Sequence, residues 1–283
     1  MARAKFHPAG RERRSPTPAA ARKRSAIHHL KAALAEDRIH LQYQPIVSAA
    51  DSRVERVEAL LRWRKPKQEK QTLTDLIWAA ERSPVIFELE NWILDRSFRA
   101  AAAWEKAGLP SVRVNVNLSA REFPRADLVS RVTRRLAGAN LDPIGVGLEI
   151  TETSGICEFD EVADPIDRLV EKGIELWLDD FGTGHSSLEW LSHLPLHGLK
   201  IPGTFVERLH DEKRCQAIVV RVIQLAHDLG LKVIAEGVET IEQRDFLAAR
   251  GCDFFQGFLF YAALPAKRLP SALRDGTSPT VHR

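Results

Sequence analysis

Short apolar runs alternate with longer helix-patterned stretches along most of this chain, and that alternation limits the fold more than any other feature. Strand-like runs are predicted at residues 41–47, 54–63, 112–118, 145–151, 174–179, 198–201, 231–235 and 254–260. Helical patterns fall between them and stop at glycines: 85–106 before Gly108, 126–137 before Gly138, 161–172 before Gly173, 214–229 before Gly230 and 241–250 before Gly251. Glycine just past a helix takes the left-handed conformation that ends it. Thr240 with Gln243 reads as a capping box for the last of these helices. A first helix is expected from Ser25, with Ile27, Leu30 and Leu34 on one face. Near-continuous apolar strands separated by helices indicate a buried, mainly parallel sheet. Eight of them in about 250 residues predict a single modified TIM-type (β/α)8 barrel rather than an open doubly wound sheet. No Gly-x-Gly-x-x-Gly follows the first strand, against a dinucleotide fold. Only residues 48–53 join the first two strands. A link that short predicts one antiparallel strand.

Charge and cysteine content narrow the class. The chain has 283 residues, 44% hydrophobic and 28% charged, with no apolar stretch of membrane-spanning length. Its basic start lacks the apolar segment of a secretory signal. Three scattered cysteines, Cys157, Cys215 and Cys252, offer neither a disulfide framework nor a metal clip, so a reducing, cytoplasmic setting is expected. Of 41 Lys+Arg and 38 Asp+Glu, residues 1–25 hold eight bases and one acid, which leaves 33 against 37 in the rest. The expected layout is a basic, disordered tail over 1–25, a barrel over 26–270, and a short polar tail over 271–283. Contact of the basic tail with nucleic acid or anionic lipid is an open alternative to a solvated tail.

Polar side chains recur at the C-terminal ends of successive strands: Glu58, Asn117, Glu149, Asp179 with Asp180, Lys200, Glu236 and Gln256. In a parallel barrel those ends converge on the face that carries chemistry. Five acids around one mouth repel unless protonated or bridged by cations. Oxygen ligands without His or Cys suit Mg²⁺ or Mn²⁺ and not zinc. Asp179 and Asp180 are neighbours, so both reach one site only where the strand breaks; Phe-Gly-Thr-Gly follows at once and permits that break. One aspartate then bridges two cations, which would activate water against a phosphodiester. Lys200 suits the nucleophilic water or developing phosphate charge, and Arg62 is a phosphate fork.

These segments together resemble the EAL-domain family of cyclic di-GMP phosphodiesterases, from about Leu34 to Pro265. The resemblance rests on Tyr43-Gln44-Pro45, Glu58-Ala59-Leu60-Leu61-Arg62-Trp63, Asn117-Leu118-Ser119-Ala120-Arg121, Glu149-Ile150-Thr151-Glu152, Asp179-Asp180-Phe181-Gly182-Thr183-Gly184, Leu199-Lys200-Ile201, Ala235-Glu236-Gly237-Val238-Glu239-Thr240 and Gln256-Gly257. It implies two Mg²⁺ or Mn²⁺ ions and hydrolysis of cyclic di-GMP to the linear dinucleotide pGpG. Glu58, Asn117, Glu149 and Asp179 would ligate the first metal, and Asp179, Asp180 and Glu236 the second. Lys200, Glu236 and Asp180 would be catalytic, and Gln44, Leu61, Arg62 and Gln256 would contact substrate. Glu152 would anchor the loop from Phe181 to His185, through which a homodimer would form, and Glu239 would support the site from behind.

Some positions depart from the family. Pro202 stands where an aspartate is usual, Pro84 where glycine is common, residues 65–70 are atypical, and Ala263 replaces a proline. None removes an implied metal ligand. Bland roles compete with the functional ones: a cap for Asn117, a backbone contact for Gln44, a salt bridge for Arg62, a core lysine for Lys200, rim acids for Glu152 and Glu239. The histidines, His28, His29, His185 and His227 among them, show no ligand spacing. Two rival functions remain. One is a weak or silent receptor that holds cyclic di-GMP or a protein partner; the complete ligand set argues against it. The other is a glycosidase, which needs two dominant acids and not an Asp-Asp pair with Lys and Asn.

Overall fold

The computed structural model describes residues 18–109, 112–151, 159–183 and 187–274. Eight strands close into one barrel in sequence order: β1 Ile39–Ser48, β2 Val54–Trp63, β3 Arg113–Leu118, β4 Val146–Thr151, β5 Glu175–Asp179, β6 Gly198–Ile201, β7 Lys232–Ala235 and β8 Phe254–Phe255. Strand β1 runs antiparallel to both neighbours, β2 and β8, and every other pair is parallel. The reversed strand expected from the six-residue link is therefore β1. The helices are α1 Pro18–Ala35, α2 Leu73–Glu81, α3 Val85–Lys106, α4 Leu128–Ala139, α5 Phe159–Val170, α6 Ser187–His193, α7 Gly203–Val206, α8 Lys213–Asp228, α9 Ile241–Ala248 and α10 Leu269–Arg274. None among the described residues is long and apolar enough to cross a membrane.

Alternation along the strands sorts the barrel interior into layers. In the lower layer the guanidinium of Arg56, 2% exposed, lies 4.4 Å from the ring centre of Trp177 and 5.0 Å from that of Phe254. It also donates to Glu175 at 2.8 Å and to Asn115 at 3.4 Å. Trp177 fits because β6 begins with glycine: a Cβ on Gly198 would meet the indole at 2.3 Å. Two residues further along these strands come Glu58, Asn117, Asp179 and Lys200. The floor is thus a packed cation–aromatic plug, and the polar residues sit one layer above it. A second apolar cluster joins α1, α2 and α3 through Leu30, Ala33, Leu76, Ala79, Val85 and Leu89.

Several boundaries depart from expectation. Helix α1 begins at Pro18, not Ser25, so residues 18–25 are helical and not a disordered tail. Proline is at home in a first turn, and the segment is tied down by Arg22 to Asp75 at 3.0 Å and Lys23 to the Arg82 carbonyl at 2.6 Å. Helix α2, unforeseen, is closed by a reciprocal Thr72–Asp75 capping box. Helix α4 passes through Gly138 and stops at Asn140, whose φ is +54°. Helix α10 carries structure beyond residue 271 to Arg274. Strand β8 has two residues, not seven, because the chain turns at Gly257: the Phe260 and Tyr261 amides donate to its carbonyl at 3.1 and 3.0 Å.

Candidate active site

Five strands converge on one ammonium. The Nζ of Lys200, on β6, lies 2.6 Å from Glu236, 2.9 Å from Glu149, 3.3 Å from Glu58 and 3.3 Å from Asp179. Lys200 and Glu149 are fully buried, and Glu58 is nearly so. Three N–H bonds face four carboxylates, so one lysine leaves this ring short of positive charge. Around it Glu58 accepts from Asn117 at 2.9 Å and from Gln256 at 2.7 Å. Glu149 accepts from Asn115 at 2.8 Å.

The surroundings move these acids in different directions. Burial pushes the Glu149 carboxyl well above its usual range, Glu58 and Asp179 add to that, and Lys200 opposes it. Burial likewise carries Glu236 up to about 7, against the pull of Lys200. Burial also works on Glu58, but Lys200, Gln256 and Asn117 together hold it below its ordinary value. For Lys200 desolvation disfavours the charge, and Asp179, Glu149, Glu236 and Glu58 more than reverse it.

The adjacent aspartates meet as the sequence required. Asp179 is the last residue of β5, and Asp180 turns out of the strand with φ +54°, a left-handed conformation that aspartate tolerates better than most residues. Its amide donates to Asp179 Oδ1 at 2.9 Å. Carboxylate oxygens of Asp179, Asp180 and Glu236 then lie within 4.8 Å of one another. The donor set is oxygen alone, compact and partly buried. It fits a hard divalent cation.

A cavity of about 450 Å³ opens over this cluster, lined by Gln44, Glu58, Asp179, Asp180, Glu236, Glu239 and Gln256 among others. Gln44 donates to the Tyr261 carbonyl at 3.1 Å, and Gln256 Oε1 is buried without a partner. Leu61, Arg62 and Asn117 line a neighbouring cavity of about 360 Å³, and Leu60 borders both. Arg62 is held there by the Gln42 side chain at 3.1 Å and the Leu61 carbonyl at 2.9 Å. Leu61 and Arg62 are therefore not gathered over the acids. Glu239 is exposed on the cavity rim and not behind the site. Glu152 and His185 lie outside the described residues. A further cavity, about 520 Å³ between α1 and α2, holds none of the expected site residues.

One supporting residue escaped the sequence reading. Asn115, fully buried on β3, joins Glu149 above to Arg56 below. The signal was there in Val-Asn-Val-Asn-Leu, since strand residues two apart share a face. If Asn117 points into the barrel, Asn115 must too.

The EAL domain model matches residues 27–263. The chain is 40% identical over 245 residues to the cyclic di-GMP phosphodiesterase NbdA of Pseudomonas aeruginosa, covering 87% of this chain and 31% of that protein. It is 35% identical over 239 residues to the cyclic di-GMP phosphodiesterase PdeR of Escherichia coli, covering 84% of this chain and 36% of that one. It thus spans about a third of the length of these curated relatives. Among solved structures, the PaMucR phosphodiesterase in complex with c-di-GMP superposes with a TM-score of 0.80 at 37% identity, over 87% of this chain and 99% of that chain.

Proposed function

The chain belongs to the EAL domain family, and from that membership we propose that it hydrolyses one phosphodiester bond of cyclic di-GMP, releasing linear pGpG, with Mg²⁺ or Mn²⁺ held at the acidic mouth. The observation that carries this reading is the Lys200 ammonium ringed by four carboxylates from four strands. Such a ring exceeds one lysine's charge, and in a low-dielectric site the excess calls for protons or cations. Glu58, Asn117, Glu149 and Asp179 would hold one ion, and Asp179, Asp180 and Glu236 the other, with Asp179 shared. Bound there, divalent ions supply positive charge for both the attacking water and the phosphodiester oxyanion.

The chain's own residues do the rest. Water adds across one P–O bond: its oxygen joins phosphorus, and the ribose oxygen that leaves takes a proton. Lys200, held between Glu149 and Glu236, presents a fixed charge where the water and developing phosphate charge meet. Gln44 and the unpartnered Oε1 of Gln256 offer amide contacts to the dinucleotide. Leu61 and Arg62 border the adjoining cavity, where a substrate wider than the acidic mouth would extend. A homodimer through the stretch from Phe181 to His185 belongs to the same proposal; its described part leaves Gly182 and Thr183 exposed beside Asp180.

Incubating the protein with cyclic di-GMP and Mg²⁺ or Mn²⁺, then resolving nucleotides by chromatography, tests the reading. pGpG should accumulate, EDTA should stop it, and Ca²⁺ should support it poorly because its longer, looser coordination misplaces the reacting groups. Undiminished hydrolysis in chelator would remove the metal from the mechanism. Binding without any pGpG would make the protein a receptor.

A further inference from the structure

Among the lining residues of the acidic cavity that the proposed chemistry leaves unused is one aromatic side chain, Phe258. Phe258 is 60% exposed, and of the large apolar side chains exposed among the described residues it is the one bordering this cavity. A lone exposed phenylalanine needs no explanation in general. This one is displayed on a rigid mount. The Val238 amide donates to the Gln256 carbonyl at 3.0 Å, and the Leu259 amide donates to the Val238 carbonyl at 3.0 Å, so the chain is pinned on both sides of Phe258. Gly257 lies so close to Val238 that a Cβ there would meet its carbonyl oxygen at 2.1 Å and its nitrogen at 2.3 Å. The turn is closed again by the Phe260 and Tyr261 amides on the Gly257 carbonyl. The backbone cannot carry the ring away from the cavity without breaking these contacts.

We infer that Phe258 is a stacking platform for a nucleobase of the bound dinucleotide, and hence a specificity-determining residue of the acidic site. The inference rests on the proposed reading that the cavity takes a cyclic dinucleotide. Carboxylates and amides in the cavity serve ions and the diester; none offers a planar apolar face. A base carries such a face whatever its identity, and an aromatic ring fixed in advance binds it without an ordering cost. Phe258 therefore favours diesters that carry bases over diesters that do not.

The test uses the full chain with Mn²⁺ and two substrates, cyclic di-GMP and methyl p-nitrophenyl phosphate, which carries no base. Phe258→Ala and Phe258→Leu should each raise KM and the dissociation constant for cyclic di-GMP roughly tenfold, with kcat nearly unchanged. Phe258→Tyr should keep the parent values. Turnover of the small diester and the melting temperature should not move, since the side chain is exposed. If Phe258→Ala binds cyclic di-GMP like the parent, or Phe258→Leu does, the platform is rejected. Equal losses on both substrates, or an altered oligomeric state at constant KM, also reject it. A parent protein that neither binds nor cleaves cyclic di-GMP overturns the underlying reading, and the platform with it. Normal cleavage unaffected by the substitution overturns the platform alone.

Discussion

Lys200 on β6 and Glu236 at the exit of β7 are joined by a 2.6 Å contact, the shortest that the buried ammonium makes with any of its four carboxylates. The pair ties two neighbouring strand ends together at the mouth. Replacing Lys200 by Met should leave four carboxylates without their shared cation. Loss of one partner from a buried ion pair costs about 3–5 kcal/mol, so the chelated protein should melt markedly lower. Saturating Mn²⁺ should return much of that stability, while pGpG production stays lost. Melting curves with and without metal check both halves; an unchanged melting temperature in chelator would show that Lys200 does not hold the ring.

Asn115 gives a second prediction. Its amide orients Glu149 from beneath, without lying in the cavity itself. Removing such an outer partner typically costs about 10–100-fold in metal affinity. Asn115→Ala should therefore weaken Mn²⁺ binding by that order in a calorimetric titration, and activity should recover at high metal. Full affinity in the variant would mean Glu149 is held well enough by Lys200 alone.

Pro202 follows the Lys200-Ile201 pair and opens α7, where no side chain caps the helix. The next residue, Gly203, packs on Gly237, so closely that a Cβ on Gly237 would lie 3.0 Å from the Gly203 Cα. Position 202 thus sits beside the turn that follows Glu236. Pro202→Asp should raise kcat roughly tenfold, equivalent to about 1.4 kcal/mol, with little change in KM. The new carboxylate also adds a helix cap, so the variant should fold well. Steady-state kinetics decide: an unchanged kcat in a folded variant assigns Pro202 to backbone geometry alone.

Alkaline pH should destabilise the fold through two buried acids. Burial carries the Cys252 thiol up to about 12, and the Tyr43 phenol to about 12 as well. An unfolded chain releases these protons from their ordinary values of 9.0 and 10.0. Between the two limits the unfolded state binds fewer protons, so stability falls as pH rises. Each group contributes about 1.4 kcal/mol per pH unit in its window. Denaturant midpoints measured from pH 8 to 11 should decline, and Cys252→Ala should flatten the early part of that decline. Parallel curves for parent and variant would remove the thiol from the account.

The sequence by itself determined the strand and helix alternation, the reversal of one of the first two strands and the chemical type of the site; that this strand is β1 came from its pairing with β8. These features are local. A period of two places Arg56 with Glu58, and Asn115 with Asn117, on one face of a strand whatever the partner strand is. A five-residue link between β1 and β2 admits an antiparallel turn and no crossover helix. Only the tertiary structure decided which side chains meet. That Lys200 gathers four carboxylates depends on barrel closure, which brings β2, β4, β5, β6 and β7 to one point. That the Glu236 carboxyl is pushed up to about 7 depends on burial by residues distant along the chain. Leu61 and Arg62 fall in the adjoining cavity because α2 and α3 pack beside that end of β2, a placement that no local pattern in the segment carries. The early start of α1 follows from its contacts with Asp75 and Arg82, more than fifty residues away. Local periodicity encodes the face a residue occupies; register, closure and burial, which join remote segments, decide what that face touches and how it titrates.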